Sequence, residues 1–328
     1  MRAIAGLAAL TLALLPASAA GSKPLKVALV TDVLTKPSQR DVRGLQYLGF
    51  LRGVRELRIT GRVVQVKPQG DPVDTLASLA RQKYDLIFTG IAPSEDVERV
   101  ARRFPLVRFA ISYPWEVLSD RPKNVLGVDF RIEQAGYLAG YLAALLEKRR
   151  PGKDVIGSVG GVKFPGVDGW IAGYQAGARK ADPGIMTLNG YSNDFLNPAK
   201  CKAVALGQIE RGAGVVFQVA GLCGLGTLEA ARERGVWGIG VDGDESYLGP
   251  HILTSAIRRD DIAVYRTIEA LVQGRLRTGE SSHWNLANGG VGLGKVSPKV
   301  PPSMLAQVDK VRAQIVAGKI HVPSTLGR

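Results

Sequence analysis

Short apolar runs, each closed by small or polar residues and separated by helical patterns, constrain this chain more than any other feature. The runs are 25–30 (LKVALV), 84–88, 107–111, 155–159, 215–219 and 236–241. Each is largely apolar and rich in β-branched residues. That is what a parallel strand buried on both faces requires, since crossover helices cover both sides of its sheet. Helical spacing fills the intervals: 42–57, 72–82, 94–103, 132–146, 167–180, 199–211 and 227–234. Strict β-α alternation specifies α/β layers with parallel sheets.

The pattern runs twice, from about 25 to 130 and again from about 154 to 255, with a helix-rich bridge over 131–151. A further helix over 260–274 and a short strand near 291–296 follow. At 328 residues, and roughly 100–200 residues per domain, two lobes are expected. The first comprises 24–130 plus about 258–290. The second comprises 131–257 plus about 291–328. Ligands in such sheets sit beyond the carboxyl ends of the strands, so the residues that close each run are the candidate cleft wall.

Residues 1–20 (MRAIAGLAALTLALLPASAA) stand apart. Arg2 forms a positive start, 3–15 an apolar core, and Ala17-Ser18-Ala19 a small-residue cleavage site, the pattern of a secretory signal peptide. No cysteine follows it to carry a lipid anchor. No later stretch reaches the 18 apolar residues of a membrane span. A soluble, periplasmic mature chain is therefore expected.

The formal net charge of +14 admits an anionic partner. Its Lys and Arg are scattered, however, with the densest run only Lys148-Arg149-Arg150, and no helix-turn-helix, zinc-finger or RNA-binding signature accompanies them. The expectation is a solvated basic surface without nucleic acid. Three His, none in an H-x-x-x-H spacing, argue against a His-based zinc site. Phosphate-loop, nucleophile-elbow and zinc-protease motifs are missing, and no cofactor is expected. Gly221–Gly226 (GLCGLG) lacks the dinucleotide spacing and is better placed as a tight strand-to-helix turn. Asp242 and Asp244 follow the 236–241 strand. They suit hydrogen bonding to ligand hydroxyls or ring N–H groups; acid–base work by an exported α/β enzyme is the alternative of another class.

Cys201 and Cys223 are the only cysteines. In an oxidising compartment two cysteines allow one bridge. Closing that loop contributes about 3 kcal/mol in the chain-entropy account.

Several segments in order, 27–32 (VALVTD), 136–144 (GYLAGYLAA), 158–161 (SVGG), 194–202 (DFLNPAKCK), 217–226 (FQVAGLCGLG) and 238–255 (GIGVDGDESYLGPHILTS), resemble the basic membrane protein family. These are substrate-binding proteins of ABC transporters with the type I periplasmic binding fold: two Rossmann-like lobes joined by three crossovers, the ligand between them. The resemblance implies a receptor, not an enzyme, that binds a purine nucleoside or related heterocycle. It further implies an inner-membrane permease as partner and a monomeric state. The same fold binding another aromatic or acidic metabolite is the nearest alternative.

Residue by residue, the family's G-x-D-x-D-Q matches Gly240 to Glu245, with Glu245 in place of Gln. Asp242 thereby takes the role of ligand-binding acid. Phe195 matches the stacking aromatic and Arg258 the basic residue after L-T-S. Asp32 and Gly221 close strands in the same wall. The first half departs from the pattern. Asp41-Val42-Arg43 stands where S-F-N is usual, and Ser112-Tyr113 where an acid follows F-A-I. Tyr113 or Trp115 is expected to supply the missing ring.

Overall fold

The structure, a computed structural model, describes residues 23–32, 41–66, 70–90, 92–112, 121–152 and 154–327. The expected signal peptide, Tyr113 and Trp115 lie outside them.

Among the described residues the strands form two six-stranded sheets. The first builds from β1 (Lys26–Thr31), β2 (Thr60–Gln65), β3 (Leu86–Thr89), β4 (Arg108–Ser112) and β5 (Val125–Phe130), and is completed by β11 (Ser281–Trp284) in the order β11-β5-β4-β3-β1-β2. The second builds from β6 (Val155–Gly160), β7 (Met186–Tyr191), β8 (Val215–Val219), β9 (Trp237–Asp242) and β10 (Ile252–Arg258), with β12 (Val291–Leu293) at its edge in the order β12-β10-β9-β8-β6-β7. All pairings are parallel except that of β12, which runs antiparallel to β10. The central strands are apolar on both faces and sealed: β3, β6 and β8 are buried at every position.

Helices α1 (Val42–Glu56), α2 (Pro72–Arg81), α3 (Ser94–Arg103) and α8 (Asp260–Val272) intervene in or follow the first series. Helices α4 (Ile132–Glu147), α5 (Pro165–Ala181), α6 (Pro198–Glu210), α7 (Gly224–Arg234) and α9 (Pro302–Val316) accompany the second. The chain passes between the sheets at Arg131, at Arg259 and between β11 and β12. The helix-rich segment expected over 131–151 is largely α4, which packs on α5 and on β10.

That α4–α5 contact explains the glycines of GYLAGYLAA. A Cβ at Gly136 or Gly140 would run into the carbonyls of Trp170 or Tyr174. One at Gly173 or Gly177 would strike those of Glu133 or Tyr137. Paired glycines one turn apart on both helices let the two backbones touch.

The expected disulfide is present. Cys201, in the first turns of α6, bonds to Cys223, the residue before α7, across a Cα–Cα distance of 5.5 Å.

Candidate ligand-binding site

The carboxyl ends of both sheets face one another across a cleft, as parallel topology requires of a ligand site. A cavity of about 330 Å³ lies there. Phe195, Gly221, Asp242 and Arg258 all line it. They come from three different strand ends and the loop between β7 and α6. Around them stand Phe130 and Arg131 at the end of β5, and Phe164 and Trp170 at the start of α5. A second chamber of about 360 Å³ opens on the other side of Asp242. Asp41, Val42, Arg43, Glu245 and Tyr247 line it, and Gly221, Val241 and Asp242 border both spaces.

Asp242 ends β9 with φ at 65°, a left-handed conformation rare outside glycine and most tolerated by Asp and Asn. Its carboxyl sits 3.2 Å from Arg258 Nε and keeps 29% exposure toward the cleft. Burial, reinforced by the nearby acids Asp260, Glu245 and Asp41, pushes it up to about 8, against the pull of Arg43.

Arg258 ends β10 and is 2% exposed. Its guanidinium lies over the ring of Phe130 at 5.2 Å and within 3.0 Å of the Asp260 carboxylate. Burial lowers Arg258 to about 10 even with that carboxylate beside it.

Glu245, in the place of the family's Gln, is buried. It accepts hydrogen bonds from Gln218 Nε2 at 2.7 Å and from the Val241 amide at 3.2 Å. Burial raises it to about 7, those two donors notwithstanding. Asp244 does different work from Asp242. Its carboxylate accepts from the backbone amides of Ser246 and Lys295 at 3.0 and 3.2 Å, closing a turn, and it borders neither chamber. The pair does not present two carboxylates to one substrate, which removes the geometric basis for the enzyme alternative.

Phe195 is 37% exposed and packs edge-on against Phe164 at 6.2 Å, leaving a face open to the cavity. Gly221 follows β8 with φ at 55°, which glycine adopts without strain. Its stretch is a strand-to-helix turn, as expected from GLCGLG. Asp32 closes β1 but does not border the main cavity. It holds Arg43 through two charged hydrogen bonds of 2.5 and 2.6 Å. Arg43 thereby occupies the start of α1, just after the helix cap that Asp41 makes to the Gly44 amide at 2.9 Å.

The cavity's apolar lining was missed from sequence. Phe130 and Phe164 each close a segment, but a closing aromatic has no signal separating it from core packing. Asp260, which pairs with Arg258, and Gln46 and Ser112, which donate to Asp260, become visible only through the topology.

A two-lobed α/β protein with its cavity at facing strand ends, lined by an acid, a cation and aromatic faces, has the architecture of a solute-binding protein. The ABC transporter substrate-binding protein family described as PnrA-like (Bmp) matches residues 46–325, and the chain belongs to that family. A CD4+ T-cell-stimulating antigen of Listeria monocytogenes is 30% identical over 92% of this chain and 89% of its own. Basic membrane protein A1 of Borrelia garinii is 30% identical over 83% of this chain and 82% of its own. Among solved structures, a solute-binding protein of an ABC transporter system from Aeropyrum pernix shares the fold. Its TM-score is 0.75 at 25% identity, covering 92% of this chain and 94% of its own. The family and the Aeropyrum pernix structure are described as substrate- or solute-binding proteins of ABC transporters. Among the described residues no helix is long and apolar enough to cross a membrane.

Proposed function

We propose that this substrate-binding protein is exported through a signal peptide at 1–20 and acts in the periplasm as a monomer. In this reading it captures a purine nucleoside or purine base between its lobes and delivers it to an ABC permease in the inner membrane. The lobes, 24–130 with 258–290 and 131–257 with 291–328, move as two bodies about the three crossovers, so that ligand shifts the open and closed populations.

The convergence of Phe195, Asp242 and Arg258 on one cavity carries this reading. A flat heterocycle needs an apolar face to lie on, a carboxylate for its ring N–H groups or hydroxyls, and a cation for a carbonyl or ring nitrogen. By resemblance to the family, Tyr113 or Trp115 supplies the second ring, and Asp32 orders the start of α1 through Arg43.

Mass spectrometry of ligand released from the natively purified protein, followed by calorimetry with inosine, adenosine and guanine, tests the assignment. Recovery of a purine and saturable binding without product formation are expected. An aromatic acid or other non-purine metabolite in the released fraction would overturn the purine assignment and leave the receptor class standing.

A further inference from the structure

The disulfide lies directly behind the cavity wall. The amide of Cys223 donates to the carbonyl of Phe195 at 3.0 Å, and Cys223 Sγ lies 3.4 Å from Ser192 Oγ. The same carbonyl lies close beside Gly221. Cys201 stands one turn into α6, the helix that the 192–197 loop leads into. The bridge therefore closes a small circuit: loop 192–197, start of α6, disulfide, turn 220–223, and back to the loop through the Cys223 amide.

The loop is well ordered within itself. Asp194 accepts from the amides of Leu196 and Asn197 at 2.7 and 3.0 Å and pairs with Lys200 at 2.9 Å, which holds its carboxyl down at about 2. Asn197 caps α6 through the Ala199 amide at 3.1 Å. None of these contacts reaches the second wall segment.

The fully buried cluster where α6 meets α7 is Val159, Cys201, Ala205, Ala220, Cys223 and Ala230, with Val204, Leu206 and Ile209 packed against it and Lys202 paired with Glu233 at 2.8 Å. On the 220–223 turn itself the buried side chains are only Ala220 and Cys223, which give the turn few interdigitating atoms besides the bridge. The ring of Phe195 needs its height fixed closely, since it lies against Gly161, where a Cβ would strike it.

We propose that Cys201 and Cys223 are positioning residues of the ligand site. Their disulfide fixes the 192–197 loop against the 220–223 turn and so sets the Phe195 face and Gly221 at one spacing across the cavity. The part concerning ligand rests on the reading above; the part concerning wall geometry does not.

Two variants test this, Cys201→Ala/Cys223→Ala and Cys201→Val/Cys223→Ala. The second restores apolar volume where the first fails to fold. Hydrogen exchange of the full chain is compared with wild type well below each variant's melting temperature, alongside calorimetric titration with inosine. Exchange at 192–197 and 220–223 is expected to quicken about tenfold or more while β6 and β8 stay protected. Inosine affinity is expected to fall about tenfold. Wild-type exchange in both segments would overturn the proposal, as would acceleration spread evenly over the second sheet, which marks a purely stabilising bridge. Wild-type inosine affinity in a bridgeless variant would overturn the role in the site. If inosine binds neither protein, the purine reading fails and the exchange comparison alone decides.

Discussion

The carboxylate of Asp260 lies 3.0 Å from Arg258 Nε, with both side chains sealed from solvent at 1% and 2% exposure. Asp260 opens α8 immediately after the crossover at Arg259. Its other contacts reach into the first lobe: Gln46 Nε2 donates to it at 3.0 Å and Ser112 Oγ at 3.1 Å. The cation, which ends a strand of the second sheet, is thus balanced by an acid tied to side chains of α1 and of β4 in the first sheet. Asp242, 3.2 Å from the same Nε, carries this row of polar side chains on to the cleft.

Removing Asp260 should therefore be costly. A buried pair adds little net stability when intact, but deleting one partner strands the other charge, a loss of about 3–5 kcal/mol. Asp260→Ala is expected to lower unfolding stability by that amount in urea, and Asp260→Asn by less, since its amide oxygen still accepts from Gln46 or Ser112. A loss under about 1 kcal/mol for the alanine variant would mean that Asp242 alone balances Arg258.

Glu245 gives a pH signature with a definite sign. Its folded value of about 7 lies above the ordinary 4.5. The folded state then binds the proton more tightly than the unfolded chain. Stability from this group is full below pH 4.5 and is lost as pH rises through 7. Glu245→Gln keeps an acceptor for Gln218 and Val241 and removes the charge. It should stabilise the protein by about 3 kcal/mol at pH 8, as expected for a shift of that size, and by almost nothing at pH 4. Melting curves across that range check it; a pH-independent difference would sink the explanation.

The sheets and most helices were legible because central parallel strands must be apolar on both faces, and 155–159, 215–219 and 236–241 could be little else. What escaped was mostly edge or polar; β5, an inner apolar strand, is the exception. β2 reads TGRVVQ and is mostly exposed, β11 is four residues of polar edge, and β10 buries Thr254, Ser255 and Arg258 inside its sheet. A buried polar strand looks like a loop until its partners are known. Ser255 Oγ, for example, accepts the Glu245 amide at 3.0 Å. The site was legible in the same measure. Strand-closing residues of the second half converge on the cavity, whereas Asp32 turned out to be held by Arg43, a pairing between a strand end and a helix start that spacing does not reveal.

The α4–α5 seam makes a purely steric prediction. Gly140 faces the Tyr174 carbonyl with no room for a methyl group. Gly140→Ala should destabilise by about 1–3 kcal/mol through overpacking, although alanine is the better helix former by roughly 1 kcal/mol. Denaturant unfolding measures the balance. A stabilised variant would show that the helices separate at no cost.

Asp242 joins chemistry to binding most directly. Its carboxyl, at about 8, is largely protonated near neutral pH in the unliganded protein. A ligand that donates ring N–H or hydroxyl hydrogens prefers the ionised form, so binding should pull the value down and expel a proton. Calorimetry at pH 7 in buffers of different ionisation enthalpy should then report close to one proton released per ligand, with affinity rising between pH 6 and 8. Asp242→Asn tolerates the positive φ and should hold its melting temperature. It should abolish the proton release and weaken binding by about 1–3 kcal/mol, roughly fivefold to more than a hundredfold. Asp242→Ala adds backbone strain to the same loss of affinity. Equal affinity in wild type and Asp242→Asn, with no buffer dependence in either, would take Asp242 out of the ligand site.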